Sequence, residues 1–186
     1  GVTVARTFAV AQSDLHSKIV EGRLGGPRVN IQDYIDIAYE LSAMAIVDVR
    51  RRNGHFTGDY RLLLYSMDHK SLFDNDEGPN TGGMGAIAPI PLSDEMERTI
   101  RSDFIERTIE GLIKEGIEFT GCLYPALAVD NHGNIFMLEY NVRFGDPAPQ
   151  VVVDLMESPL YDYLMDATLG ELGRTPEIKW RNGYSV

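Results

Sequence analysis

Glu139 and Asn141 stand two residues apart in the run Leu138-Glu139-Tyr140-Asn141-Val142-Arg143-Phe144-Gly145-Asp146-Pro147. On a strand, side chains two apart share a face, so these two lie side by side while Tyr140 and Val142 point the other way. Two hard oxygen donors near a strand end suit Mg²⁺, which takes one or two carboxylates and fills its remaining positions with phosphate oxygens and water. The plainer alternative is an edge-strand glutamate beside a hydrogen-bonded asparagine. A carboxylate in the middle of a sheet is costly without a partner, and Arg143 is the only cation adjacent in sequence; a metal would fill that role. Arg143 is suited either to pair with Asp146 or to grip a phosphate or carboxylate through two parallel hydrogen bonds. Asp146, just before Pro147, is equally a candidate helix N-cap.

A second cluster is Gly78-Pro79-Asn80-Thr81-Gly82-Gly83-Met84-Gly85. Glycines so dense allow positive φ and close backbone approach, so that successive amides can face an anion. No GKS or GKT follows, so this is not a Walker A loop, and a tight surface turn is the alternative. Asp68-His69-Lys70 precedes it, and Asp74, Asp76 and Glu77 surround it with charge suited to an amine or merely to solubility. The four histidines are scattered without zinc-ligand spacing, and no serine sits in a nucleophile elbow.

These clusters need elements to hold them. Phe119 to Val129 and Ile135 to Asn141, joined by a turn at Asp130 to Asn134, read as an antiparallel hairpin that sets Glu139 and Asn141 opposite Cys122 to Tyr124, in the middle of a sheet. Ser93, Asp94 and Glu97 open a helix whose apolar stripe runs from Met96 to Ile113 and stops at Gly116. Helices are expected from Ala148 to Met156 and from Leu160 to Leu169, and a strand from Tyr60 to Met67. Earlier in the chain, Val2 to Val10 reads as a strand and Gln32 to Ala45 as a helix, because Tyr34, Ile35, Ala38, Leu41 and Ala45 recur at helical spacing. Glu177 to Val186 looks like the start of a further strand.

The chain has 186 residues, enough for one ordinary domain or two small lobes. A formal net charge of −11 excludes a nucleic-acid binder of the usual basic kind, and Arg50-Arg51-Arg52 reads as a solvated strand end. The single Cys122 suits a reducing, cytoplasmic setting. No apolar run is long enough to span a membrane, and no membrane partner is expected. The motif-free leader, residues 1–58, is set apart from residues 59–186.

The runs GPNTGGMGA, FTGCLYPALAVD and NIFMLEYNVRFGDP, with Asp68-His69-Lys70, resemble the phosphoribosylamine-glycine ligases, ATP-grasp enzymes of purine biosynthesis, over roughly residues 68–169. The resemblance implies an α/β fold of the α+β type, an ATP-grasp-like antiparallel or mixed sheet flanked by helices and incomplete relative to the full family. It implies that ATP phosphorylates glycine and that the amine of phosphoribosylamine displaces the phosphate, through a glycyl phosphate intermediate. Glu139 and Asn141 would then hold Mg²⁺ or Mn²⁺, Arg143 and Asp146 would be catalytic, and Asp68, Asn80, Thr81, Gly82, Gly83 and Gly145 would bind substrate. The departures are specific. Ala148 replaces the family's glutamate, no EFLxGEE-type hinge strand precedes the glycine run, and none of Lys18, Lys70, Lys114 and Lys179 sits in an ATP-clamp context. A second chain completing the ATP site is one expectation, and a non-catalytic binding or assembly module is the rival. The leader faintly resembles the family's last lobe, which suggests a permuted order with Gly1 close to Val186.

Overall fold

In the computed structural model, residues 3–22, 28–75 and 77–186 are described. The chain divides into two units, one ending at Asp36 and the other beginning at Ile37. In the first unit, Phe8–Ile19 forms helix α1. The strand expected from Val2 to Val10 is therefore replaced beyond Thr7 by a helix. Thr7 is extended and its hydroxyl accepts from the Val10 amide at 3.3 Å, which caps the first turn. Lys18 Nζ donates to Asp14 Oδ2 at 2.6 Å, one helical turn away.

The second unit is a seven-stranded antiparallel sheet covered by helices, the α/β architecture expected. Its strands are β1 (Ile37–Ser42), β2 (Ala45–Arg52), β3 (His55–Leu62), β4 (Ser66–Phe73), β5 (Glu77–Ile87), β6 (Phe119–Asp130) and β7 (Ile135–Asn141). β6 organises it. Ser42 pairs with Ala126 and Ala45 with Leu123, three residues on in one chain direction and three back in the other, so β1 and β2 lie end to end against β6. The break falls beside Pro125, which has no amide to give a ladder. β3 pairs β2, β4 pairs β1, β5 pairs β4, and β7 pairs the other side of β6.

The helix expected from Gln32 to Ala45 is thus replaced by β1 and the start of β2. Its apolar spacing is real, but Leu41 to Val47 are buried between strands on both sides, and tertiary pairing outweighs a weak local preference. The strand expected from Tyr60 to Met67 is two strands with a break at residues 63–65. The expected boundary after residue 58 falls inside β3, whose whole length from His55 to Leu62 pairs with β2, and the division comes after Asp36 instead. The nearness expected of Gly1 and Val186 involves Gly1, which lies outside the described residues.

The helix capped by Ser93 forms as read: α2 (Asp94–Thr99), a π-helical stretch Ile100–Glu106 and α3 (Arg107–Glu115), ending at Gly116 in the left-handed region with φ 69°. It covers one face of the sheet, with Ile100 among Leu41, Tyr65 and Leu127, and Ile105 and Ile109 among Val47, Val49 and Leu123. α4 (Ala148–Asp154) and α5 (Leu160–Leu169) cover the other, with Ala148, Val152 and Ala167 against Met44, Ile46, Cys122 and Ala126. The arginine cluster is not a solvated strand end. Arg50 and Arg52 donate to the Ala167 and Gly170 carbonyls at the C-terminus of α5, and buried Asp48 holds both, at 2.5 Å from Arg50 and 3.3 Å from Arg52. The tail makes isolated bridges, Met156 with Trp180 and Ala88 with Ser185, in place of the expected strand.

Candidate functional site

The hairpin β6–β7 forms, but its register is shifted from the expected Cys122 to Tyr124: Asn141 stands opposite Tyr124 and Glu139 opposite Ala126. Asn141 Nδ2 donates to Glu139 Oε1 at 3.2 Å, so the two side chains do share a face. β7 pairs only with β6 among the described residues, however, so the pair stands on an edge strand and Glu139 is exposed. The expectation of a carboxylate in the sheet centre is corrected accordingly, and its desolvation is slight.

Directly paired residues point the same way. Ala126 faces Ser42 as well as Glu139, and Ser42 faces Ser66. Counting by twos along each strand puts Glu40, Ser42, Asp68, Lys70, Tyr124, Glu139 and Asn141 on one face. The contacts agree: Ser42 Oγ and Tyr124 Oη are 2.8 Å apart, and Lys70 Nζ is hydrogen-bonded to Glu40. This is the face carrying α4 and α5, and beyond those helices it stays polar. Glu40, Ser42 and Tyr124 carry no motif signature, and only the strand register brings them in.

Asp68 is the electrostatic centre of this face. Its pKa is raised, chiefly by burial; Lys70 opposes that shift, the charges of Glu40 and Asp146 add to it, and Ser42 offsets a part. Burial would lower Lys70, yet the hydrogen bond and charge of Glu40, with Tyr124 and Asp68 nearby, carry it above the ordinary lysine value. Asp68 Oδ1 and Ser66 Oγ are buried without a hydrogen-bond partner among the described residues.

The glycine-rich run is neither a loop nor a tight turn. It is strand β5, whose pairing with β4 jumps from His69 opposite Gly85 to Ser71 opposite Asn80. The residues between bulge out, and Thr81 ties the bulge down: its hydroxyl donates to the Lys70 carbonyl at 2.9 Å and accepts from the Gly83 amide at 3.1 Å. At Gly83, with φ 141°, a Cβ would lie 2.5 Å from Pro147 Cδ and 2.8 Å from the Asp146 carbonyl oxygen. The two motifs are therefore in backbone contact. A Cβ on Gly145 would lie 3.1 Å from the Tyr124 ring, so the same turn also rests on the sheet face. Asn80 and Gly82 are exposed on the rim.

In that turn Asp146 is not the N-cap. α4 has no side-chain cap, and Asp146 Oδ1 accepts from Gln150 Nε2 at 2.7 Å. Arg143 donates to the Phe144 carbonyl at 2.8 Å rather than pairing with Asp146, and is exposed.

Comparison with known proteins decides the family. Residues 1–149 match the family described as phosphoribosylglycinamide synthetase, ATP-grasp (A) domain. The chain belongs to this family. The match starts at residue 1, so the leader aligns with the ATP-grasp domain itself and not with a last lobe in permuted order. The chain is 37% identical to phosphoribosylamine-glycine ligase of a Nostoc species, covering all of this chain and 42% of that protein, and 38% identical to that of Vigna unguiculata, covering 58% of it. The chain thus spans about half the length of these relatives. A crystal structure of phosphoribosylamine-glycine ligase from Thermotoga maritima superposes with a TM-score of 0.77 at 32% identity, covering 99% of this chain and 44% of that one. The biotin carboxylase domain of Hydrogenobacter thermophilus 2-oxoglutarate carboxylase, at 16% identity and a TM-score of 0.66, shares the fold. No helix among the described residues is long and apolar enough to cross a membrane.

Proposed function

We propose that this chain forms part of an ATP-dependent ligase that joins glycine to phosphoribosylamine, with the polar sheet face as its reaction surface. One observation carries the reading: the Gly83 backbone lies against Asp146 and Pro147 with no room for a side chain, so that the glycine run and the RFGDP turn close on Asp68 and Lys70 as one wall. Site architecture of this kind catalyses mainly by positioning and by charge stabilisation.

Glu139 and Asn141 fit a hard divalent cation. They are adjacent, accessible oxygen donors, and no group of three or more His, Cys, Asp or Glu side chains among the described residues makes a complete protein cage. Mg²⁺ or Mn²⁺ held there would draw its other ligands from ATP phosphates and water and would neutralise phosphate charge. The chain's own groups do the rest. Exposed Arg143 grips the transferred phosphate or the glycine carboxylate. Asp68, with an oxygen unpartnered and its ionised form disfavoured by burial, accepts a hydrogen bond from the amine. Asp146 holds the turn through Gln150 and adds negative charge beside Asp68. Thr81, Asn80, Gly82, Gly83 and Gly145 shape the wall. We propose a cytoplasmic setting, with which the single unbridged Cys122 agrees.

The rival is a substrate-binding module without ATP turnover, favoured by the engagement of Lys70 with Glu40 and of Lys18 with Asp14, which leaves neither lysine presented as a clamp. A second chain or a further segment would then complete the nucleotide site. Phosphate release from MgATP, measured with glycine and phosphoribosylamine together and singly, separates the two. Release that needs both substrates and is lost in Glu139→Ala supports the ligase. Glycine binding by calorimetry with no ATP binding supports the module.

A further inference from the structure

A second cleft lies away from the motif face, where β3 passes into β4 at the sheet edge. It encloses about 510 Å³, within the usual range for small-molecule sites, and its walls include Tyr60, Tyr65, Ile90, Glu97, Arg101 and Trp180. Three features are unexplained by folding. Tyr65 is 7% exposed, lines the cleft, and its hydroxyl has no hydrogen-bond partner among the described residues. A buried hydroxyl without a partner is costly, so a fold without use for it has reason to prefer phenylalanine. Burial, followed by the charge of Glu97, pushes the Tyr65 phenol up to about 12, so it remains a donor throughout the neutral range.

Glu97 and Arg101 stand four apart along one helix, the spacing at which such residues normally pair. They form no ion pair here. Arg101 turns to Tyr60 instead, with Nη1 3.3 Å from the hydroxyl and Cζ 6.0 Å from the ring centre, while Tyr60 donates to Glu106 at 2.6 Å. The π-helical turns at Ile100–Glu106 carry Arg101, and such turns are rare and concentrated at functional sites. The Arg101 guanidinium, the Glu97 carboxylate and the free Tyr65 hydroxyl thus face a space walled by Ile90 and Trp180, whose lining also carries Asp59 and the Arg61–Glu177 pair, 3.9 Å apart. Arg61 at the rim is committed to the Tyr60 and Thr175 carbonyls.

We propose that this cleft binds a free α-amino acid with a bulky apolar side chain, its carboxylate on Arg101 and the Tyr65 hydroxyl, its ammonium on Glu97 and its side chain along Ile90 and Trp180. This site is separate from the proposed reaction surface and stands whether or not that reading holds.

The test is calorimetry or NMR titration of the whole chain with L-leucine, L-phenylalanine and L-tryptophan, each beside its N-acetyl and methyl-ester forms. At least one free amino acid is expected to bind, with both blocked forms at least about tenfold weaker. Tyr65→Phe should weaken binding about tenfold while leaving the unfolding temperature unchanged or higher, because the hydroxyl it removes has no partner in the fold. Glu97→Gln, on an exposed residue, should weaken the free amino acid but not its N-acetyl form. Absence of binding by all three at about 10 mM overturns the proposal, as does equal binding by Tyr65→Phe or by the blocked forms.

Discussion

Gly83→Ala tests the contact between the two motifs. The new methyl group would lie 2.5 Å from Pro147 Cδ and 2.8 Å from the Asp146 carbonyl oxygen, whereas nonbonded carbons settle at about 3.5–4.0 Å. Either β5 or the RFGDP turn must therefore retreat by about 1 Å. The backbone adds its own term, since a φ of 141° is open to glycine and strained for alanine by about 1–3 kcal/mol. Overpacking costs a similar amount, so the least total is about 2 kcal/mol, which in a chain of this size lowers the unfolding temperature by at least about 4 °C. Gly82→Ala is the internal control: nothing lies within 4 Å of its Cβ and its φ is not in the positive range, so its change should stay within about 1 kcal/mol. Thermal unfolding of both variants gives the comparison, and glycine titration reports the wall itself. A 1 Å displacement at a positioned site is worth about a hundredfold. The reasoning is refuted if Gly83→Ala unfolds with Gly82→Ala and the wild type and still binds glycine equally well.

Four further outcomes follow from the same geometry. Asp68→Asn should stabilise the protein at neutral pH: a carboxyl raised in the folded state favours folding only below its ordinary value of 3.8 and loses that contribution as pH rises through the raised value, so the gain should vanish in acid and level off above that window. Urea unfolding at several pH values checks this, and destabilisation at pH 7 would contradict it. Glu139→Gln should abolish metal-dependent nucleotide binding in calorimetry with unfolding unchanged, because the side chain is exposed on an edge strand. Asp48→Ala should cost about 2–3 kcal/mol in urea unfolding, since it strands Arg50 and Arg52 beside the end of α5, with their partial exposure limiting the loss. Cys122, whose thiol is pushed up to about 12 by burial, should resist aromatic disulfide reagents until the protein unfolds; rapid native labelling would show that β6 opens.

The parts legible in the sequence are those whose signal is local. Ser93 and Gly116 bracket a helix with caps that act over one turn, and the β6–β7 hairpin announces itself by two apolar, strand-favouring runs on either side of a short polar turn. Glu139 and Asn141 were side by side for the same reason, since a period of two needs no tertiary knowledge. The errors came where partners distant in sequence decide the structure. Ile37 to Val47 carries helical spacing but is held in strands, Ile37 to Ser42 between β6 and β4 and Ala45 to Val47 between β6 and β3, with the β6 partners far along the chain. The glycine run looked like a loop because glycine density signals backbone freedom without saying whether a bulged strand or a turn uses it. The edge position of β7 and the arginine cap on α5 likewise depend on which strands arrive, and no spacing in the sequence encodes that.

Register is what turns scattered residues into a site. Asp68-His69-Lys70 reads in sequence as a short charged run, yet Ser42 opposite Ser66 fixes Asp68 and Lys70 beside Glu40, and Ala126 opposite both Ser42 and Glu139 carries the same face across to the proposed metal pair. Between these charged edges stand Ala126 and Ala128, both buried, with Ala126 packed against α4 and directly opposite Glu139. A larger residue at Ala126 would press on α4 and on Glu139, and so disturb the face while leaving every charged group in the sequence. Ala126→Leu, which adds volume to a packed position, should cost about 1–3 kcal/mol in stability and also weaken nucleotide or glycine binding with Asp68, Lys70, Glu139 and Asn141 all intact. Ala128→Leu, two residues along, presses toward Glu40 and should act on Lys70 first. If Ala126→Leu binds both ligands as tightly as the wild type, the substrates do not lie across this face, and the polar residues on it serve the fold alone.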